Sequence, residues 1–122
     1  MQDKIIINDY IENDPLSEEN LDKTLETIYR FRLLFPNKSI WIYSGYTWNQ
    51  VMSPVITDDF NPSRDELLDK RKEIVKQCTV MVDGRYIDSQ RDITLKWRGS
   101  SNQRVIDTQK SLKENKIVLY CD

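Results

Sequence analysis

The chain has 122 residues, 39% hydrophobic and 31% charged, enough for one globular domain with one core. Eighteen Lys and Arg against twenty Asp and Glu leave a formal charge of -2, which supplies no field for gathering nucleic acid or an anionic membrane surface. No His and only two Cys, Cys78 and Cys121, exclude a self-contained zinc site, an imidazole relay, a Cys-His nucleophile and a four-iron cluster.

The longest apolar runs, such as Ile5 to Ile7, fall far short of the roughly 20 residues a membrane span needs. With no secretory leader in view, a soluble, cytoplasmic protein with two free thiols is expected. Alanine is absent while Ile, Lys, Asn and Asp are abundant, a usage that suggests an AT-rich coding genome such as a low-GC bacterium or its phage.

In chain order, Met1 to Asn13 offers one β-branched run, Ile5-Ile6-Ile7, open between a short strand and a first helical turn. Ser17-Glu18-Glu19 predicts a helix start, a Ser cap followed by acids at the positive end of the dipole. Leu21, Leu25, Ile28, Phe31 and Leu34 then recur at helical spacing until Pro36-Asn37 stops the segment. Ser39 to Ser44 is apolar on both faces and predicts a strand covered on both sides in a mainly parallel sheet. After the Gly45-Tyr46-Thr47 turn, Thr47 can cap a short helix through Val51. A loop bracketed by Ser53-Pro54 and Asn61-Pro62-Ser63, kept polar by Asp58-Asp59, is expected to be mobile.

A second long helix is predicted from Ser63 to about Lys76, with Leu67, Leu68, Ile74 and Val75 inward and a solvated face including Asp69, Lys70, Lys72 and Glu73. Thr79 to Val82 reads as another buried strand, ended by Asp83-Gly84 in a positive-φ turn. Tyr86 to Trp97 is irregular. Arg98-Gly99-Ser100-Ser101 is expected to introduce a helix from Asn102 to about Lys113, and Lys116 to Tyr120 a final strand. Helices alternating with buried strands predict one α/β domain over residues 1–122 with right-handed crossovers.

Two places can carry chemistry. Arg98-Gly99-Ser100-Ser101-Asn102-Gln103-Arg104 stacks donors at an expected helix start, either a site for a carboxylate or phosphate or an ordinary cap with salt bridges. Ser44-Gly45-Tyr46 and Asp83-Gly84-Arg85 are the carboxyl ends of two strands, where open parallel sheets bind ligands. Asp83 can accept hydrogen bonds from an amine or ribose, and Tyr46 and Trp48 can stack on a flat ring; alternatively Asp83 only shapes its turn and the aromatics are core.

Taken together, Ile40-Trp41-Ile42-Tyr43-Ser44-Gly45-Tyr46-Thr47-Trp48, Val80-Met81-Val82-Asp83-Gly84-Arg85-Tyr86 and Trp97-Arg98-Gly99-Ser100-Ser101-Asn102-Gln103-Arg104 resemble the anaerobic ribonucleoside-triphosphate reductase activating proteins, from about Asp14 to the C-terminus. The resemblance implies a radical S-adenosylmethionine fold, an α/β partial barrel whose mostly parallel sheet is flanked by helices and whose strand ends hold a four-iron cluster and S-adenosylmethionine. It implies cofactor-side roles for Ser44, Gly45, Tyr46, Asp83, Arg98, Ser100, Ser101 and Asn102. It also implies an activity, reductive cleavage of that cofactor to place a glycyl radical on the anaerobic reductase.

Two departures from the family stand where catalysis is done. The family's Cys-x-x-x-Cys-x-x-Cys loop has no counterpart, and its Gly-Gly-Asp/Glu-Pro segment is replaced by Glu12-Asn13-Asp14-Pro15, with the glycine pair and its strand expected to be lost. The expectation is a truncated activase homologue that binds no iron-sulfur cluster alone and retains room for S-adenosylmethionine or another nucleotide-like ligand. Its expected partner is the anaerobic reductase or a complementary activase half. The alternative is a non-catalytic, phage-type interaction or inhibitor protein that reuses the scaffold to bind a host protein or a nucleotide-like ligand. An exposed sheet edge predicts either a homo-oligomer or N-terminal residues rearranged to cover it; no nucleic-acid or membrane partner is expected.

Overall fold

The computed structural model describes residues 4–56 and 60–121. Four strands, β1 (Lys4–Ile6), β2 (Ser39–Ser44), β3 (Val80–Asp83) and β4 (Arg104–Asp107), form one open sheet in the order β1-β2-β3-β4. β1, β2 and β3 run parallel, and β4 pairs antiparallel with β3. Helix α1 (Leu21–Leu34) connects β1 to β2, and α2 (Trp48–Met52) and α3 (Pro62–Gln77) connect β2 to β3. Helix α4 (Thr108–Glu114) follows β4 and packs on α3. The open reading of Ile5-Ile6-Ile7 resolves to a strand that ends at Ile6 and a 3₁₀ turn over Ile7–Asp9. The strand before Asp14 is therefore present, which corrects the expectation that it was lost.

Alternation along the strands sorts two cores. On the helix face, Ile40, Ile42, Met81 and Ile106 are buried against Leu21, Ile28, Ile74 and Val75. On the other face Trp41, Val80, Val82 and Val105 form a smaller cluster. Trp97 and Tyr120 cover it, each with its ring centroid 5.2 Å from that of Trp41. The Lys4 ammonium lies 3.4 Å from the centre of the Trp97 ring and 4.3 Å from that of Trp41. Among the described residues, no helix is long and apolar enough to cross a membrane.

Most element boundaries follow local chemistry. Thr47 and Gln50 form a reciprocal capping box on α2, and Asn61 caps α3 with Pro62 in its first turn. Three expectations are corrected. Helix α1 begins at Leu21, because Glu18–Asn20 form a 3₁₀ turn and the Ser17 hydroxyl donates to the Asp14 carbonyl at 2.7 Å instead of capping. The helix expected from Asn102 starts only at Thr108, capped by the Asp107 side chain, because Val105 and Ile106 pair with Val82 and Met81 as β4. Burial on both sheet faces outweighs the local cap pattern there. The final strand expected over Lys116 to Tyr120 is reduced to a bridge between Leu119 and Ile106. Asp58-Asp59, part of the loop expected to be mobile, lie outside the described residues.

The positive-φ turn after β3 is present, with Gly84 at φ +99°. A Cβ at Gly84 would find its nearest neighbour, Asn102 Nδ2, at 3.6 Å, so the cost of a side chain is backbone strain and not collision. Gly84→Ala is expected to lower unfolding free energy by about 1 to 2 kcal/mol, read from urea denaturation.

Candidate functional site

The parallel pairing of β2 with β3 brings Ser44 opposite Asp83, and β4 places Arg104 opposite Asp83 in turn. Beyond these ends lies a cleft of about 690 Å³ whose lining includes Asp14, Ser44, Gly45, Tyr46, Arg85 and Tyr86. Such a position, outside the carboxyl ends of parallel strands, is where open α/β sheets take ligands.

Asp14 organises one wall. Its carboxylate accepts from the Ser44 hydroxyl at 2.9 and 3.1 Å, from the Gly45 N–H at 2.8 Å and from the Leu16 N–H at 2.9 Å. Its carbonyl accepts from the Ser17 N–H, the Ser17 hydroxyl and the Asn20 amide at 3.1, 2.7 and 2.9 Å. Asn13 sits at φ +63°, a left-handed conformation that Asn tolerates, so it performs the turn expected of a glycine before the acid. From α3, Arg71 donates to the Leu16 carbonyl at 2.8 Å and to the Tyr46 hydroxyl at 3.1 Å, with its guanidinium carbon 4.6 Å from the Tyr46 ring centre. One arginine thus clamps both turns that build the cleft.

Asp83 is 1% exposed and engaged on both oxygens. Arg104 donates from Nε to Oδ1 at 3.0 Å and from Nη2 to Oδ2 at 2.5 Å, and the Trp48 N–H donates to Oδ2 at 2.7 Å. The hydrogen bonds to Asp83 hold the Arg104 guanidinium further above its already high pKa. Asp83 therefore starts α2 and ties β3 to β4, and it borders a neighbouring hollow of about 500 Å³ with Gly84, Arg85, Asn102 and Arg104. Of the two aromatics offered for stacking, Tyr46 lines the cleft, whereas Trp48 is buried in the helix-side core.

The donors of Arg98 to Arg104 fasten a loop and do not start a helix. Gln103 Oε1 accepts from the Gly99 and Ser100 N–H groups at 3.0 and 3.1 Å, and its Nε2 donates to the Gly84 carbonyl at 3.0 Å. Ser100 is buried; its hydroxyl donates to Asn102 Oδ1 at 2.6 Å and accepts from the Ile87 N–H at 3.2 Å. Asn102 donates to the Arg85 carbonyl at 2.8 Å, and the exposed Ser101 to Gln90 at 3.2 Å. Arg98 borders neither hollow, and its Nε is buried without a hydrogen-bond partner. Nearby, hydrogen bonds from Thr94 and the charge of Arg98 hold the Asp92 carboxyl below its usual range.

Ser44, Gly45 and Tyr46 thus share the cleft; Asp83 and Asn102 border the adjoining hollow; Ser100 and Ser101 brace the loop. Arg85 and Gln103 lay in the two segments singled out from the sequence; residue-type reasoning missed Asp14 and Arg71. Of these only Asp14 carried a sequence mark, the acid directly before Pro15.

The thiols do not fit an iron-sulfur cluster. Cys78 is fully buried in the helix-side core, where its thiol donates to the Ile74 carbonyl at 3.3 Å. Cys121 joins the cluster on the opposite face of the sheet. No group of three or more His, Cys, Asp or Glu suited to a metal occurs among the described residues. Burial pushes the Cys78 thiol from its ordinary 9.0 up to about 12. Unfolded chains release this proton first, so stability is expected to fall as pH rises from about 9 toward 12. Alkylation at pH 8 should label Cys121 alone in the native protein and both thiols in urea, read by mass spectrometry.

The family described as a 4Fe-4S single cluster domain matches residues 12–106. The anaerobic ribonucleoside-triphosphate reductase-activating protein of Escherichia coli (strain K12) is 34% identical over 92 residues, 75% of this chain and 49% of its own length. The protein of the same name from Vibrio cholerae is 33% identical over 90 residues, 74% of this chain and 48% of its own. That of Enterobacteria phage T4 is 28% identical over 94 residues, 75% of this chain and 47% of its own. The chain spans about half the length of these relatives, and no solved structure matches it. Matched over most of its length, the chain belongs to the 4Fe-4S single cluster domain family and is a homologue of the anaerobic ribonucleoside-triphosphate reductase-activating proteins.

Proposed function

We propose that the chain is the cofactor-side part of an anaerobic ribonucleotide reductase activating protein, without a cluster of its own. Its cleft takes S-adenosylmethionine or a closely related nucleotide-like ligand, and it acts on the reductase together with a complementary, cysteine-bearing half. In this reading the open sheet is one segment of a partial barrel.

The observation that carries the proposal is the Asp14-Ser44-Gly45 wall at the carboxyl end of β2. Three donors on about four lone-pair sites leave the half-buried Asp14 carboxylate one direction in which to accept a ligand amine. Gly45, with no side chain, leaves its main chain uncovered toward the cleft; a Cβ there would stand in ordinary contact with Asp14 Oδ2 at 3.4 Å. Across the cleft Tyr86, half exposed, offers a ring to a base, lying so close over Gly99 that a Cβ there would meet it at 3.0 Å.

The test is anaerobic mixing. Iron retention and a glycyl radical on the reductase are expected only when this chain and a cysteine-bearing activase segment are combined; an inert mixture contradicts the proposal. A second reading, a non-catalytic interaction protein, draws on the exposed apolar side chains Val55, Phe60 and Ile93, which are 90%, 88% and 85% accessible. It predicts capture of a host protein with neither iron retention nor a glycyl radical in the mixture.

A further inference from the structure

We propose that the hollow between α2, α3 and α4 is a second ligand site, one that takes a diphosphate group. It lies apart from the strand-end cleft and stands independently of the functional reading above.

The hollow holds about 480 Å³ and shares no lining residue with the cleft or with the space beside Asp83. That volume is within the range of small-molecule sites. Three lysines line it, Lys72 and Lys76 from α3 and Lys116 just beyond α4, and no acid does. Lys70 on the same helix pairs with Asp22 at 2.8 Å and with Glu66 at 3.2 Å, whereas Lys72 and Lys76 have no carboxylate partner among the described residues. Lys116 meets only Glu114, at 3.8 Å and with 71% of its own side chain exposed.

Lys72 and Lys76 stand one turn apart on α3, a spacing at which like charges destabilise a helix. A lysine in the last turn answers the negative end of the helix dipole, which accounts for Lys76. It does not account for Lys72, more than a turn before the end of α3 at Gln77. An anion held between the two ammonium groups turns that repulsion into attraction.

The neutral donors of the hollow are unspent as well. Asn49, Ser53 and Asn115 line it, and their side chains make no hydrogen bond among the described residues. Trp48 carries more weight. It is 6% exposed and gives its backbone N–H to Asp83, while its indole N–H has no acceptor among the described residues. Among those residues the one fully buried side-chain polar atom without a partner is Arg98 Nε, so the Trp48 indole nitrogen keeps a face to solvent, and this hollow is where Trp48 meets it. A tryptophan so deeply set ordinarily hydrogen-bonds its N–H, and here the acceptor is left for a ligand.

The donor set selects the anion. No guanidinium lines the hollow to match the planar fork of a carboxylate; ammonium groups are point charges on flexible stems, suited to tetrahedral oxyanions. Three of them from two elements call for several negative oxygens spread over more than one centre, which a diphosphate supplies. The diphosphate can be free or part of a nucleotide.

The probes are inorganic pyrophosphate and ADP, each titrated calorimetrically into the full chain, with citrate as the carboxylate comparison. Pyrophosphate should bind saturably at one site and more tightly than citrate. Lys72→Gln and Lys76→Gln together should weaken it by at least about tenfold, and Lys23→Gln, on the exposed face of α1, should bind as wild type. In nitrogen-15 spectra, the indole signal that disappears in Trp48→Phe should shift on titration. If Trp48→Phe does not fold, the exposed or half-exposed lysine variants decide, with circular dichroism confirming their fold. ADP bound more tightly than pyrophosphate, and weakened by the same two substitutions, makes the source a nucleotide; equal affinities make it the free anion. No saturable binding of pyrophosphate, an equal loss in Lys23→Gln, or citrate bound as tightly overturns the proposal. ADP binding that the lysine substitutions leave unchanged belongs to the strand-end cleft and also overturns it.

Discussion

Asp83→Ala is expected to destabilise the fold by about 3 kcal/mol, the largest effect of any single polar substitution in this chain. The carboxylate is 1% exposed and accepts three hydrogen bonds, two from Arg104 and one from the Trp48 N–H. Truncation strands a guanidinium whose side chain is only 36% exposed and leaves the first N–H of α2 without its acceptor. The register Ser44, Asp83, Arg104 across three strands means that the loss falls on the sheet ends that shape the cleft. Asp83→Asn keeps the shape and one acceptor, so it should cost about half as much. Urea denaturation of both variants checks the order, and equal stability of Asp83→Ala and wild type would show that the network contributes nothing net.

Asp14→Ala is expected to lower affinity for S-adenosylmethionine by at least about tenfold and stability by about 2 kcal/mol. The carboxylate bridges residues thirty positions apart, so its removal frees the Gly45 N–H and the Ser44 hydroxyl together. Asp14→Asn separates the two contributions. The amide oxygen can still accept from Gly45, which restores most of the stability, but it carries no charge to attract a ligand amine. Affinity should therefore stay low where stability recovers, as read by calorimetry alongside thermal melts.

The parts of the fold legible in the sequence were those with burial on a regular period. The stripe Leu21-Leu25-Ile28 gave α1, and the doubly apolar Ile40-Trp41-Ile42 gave β2, because both are dictated by water exclusion along one element. Gly84 was legible because positive φ has a short list of residues that accept it. Arg104 to Asp107 was misread. Four residues are too few to show a strand period, and the preceding Ser, Asn and Gln side chains look the same whether they cap a helix or close a loop. Only pairing with β3 decides between them.

The site was half legible for a related reason. Ser44, Gly45 and Tyr46 were marked by their place at a strand end, a local property. Asp14 and Arg71 act through contacts across the fold, to Gly45 and to Leu16 and Tyr46, that no local pattern announces. Asn13 hid the turn by doing a glycine's work with a side chain.

Ligand binding in the strand-end cleft is open to a calorimetric titration of S-adenosylmethionine into the wild-type chain, with adenosine and methionine as separate controls. Saturable binding at one site is expected, weaker for each fragment than for the whole cofactor, and lost in Asp14→Ala. Heat that never saturates, or binding that Asp14→Ala leaves unchanged, would contradict the assignment of the cleft.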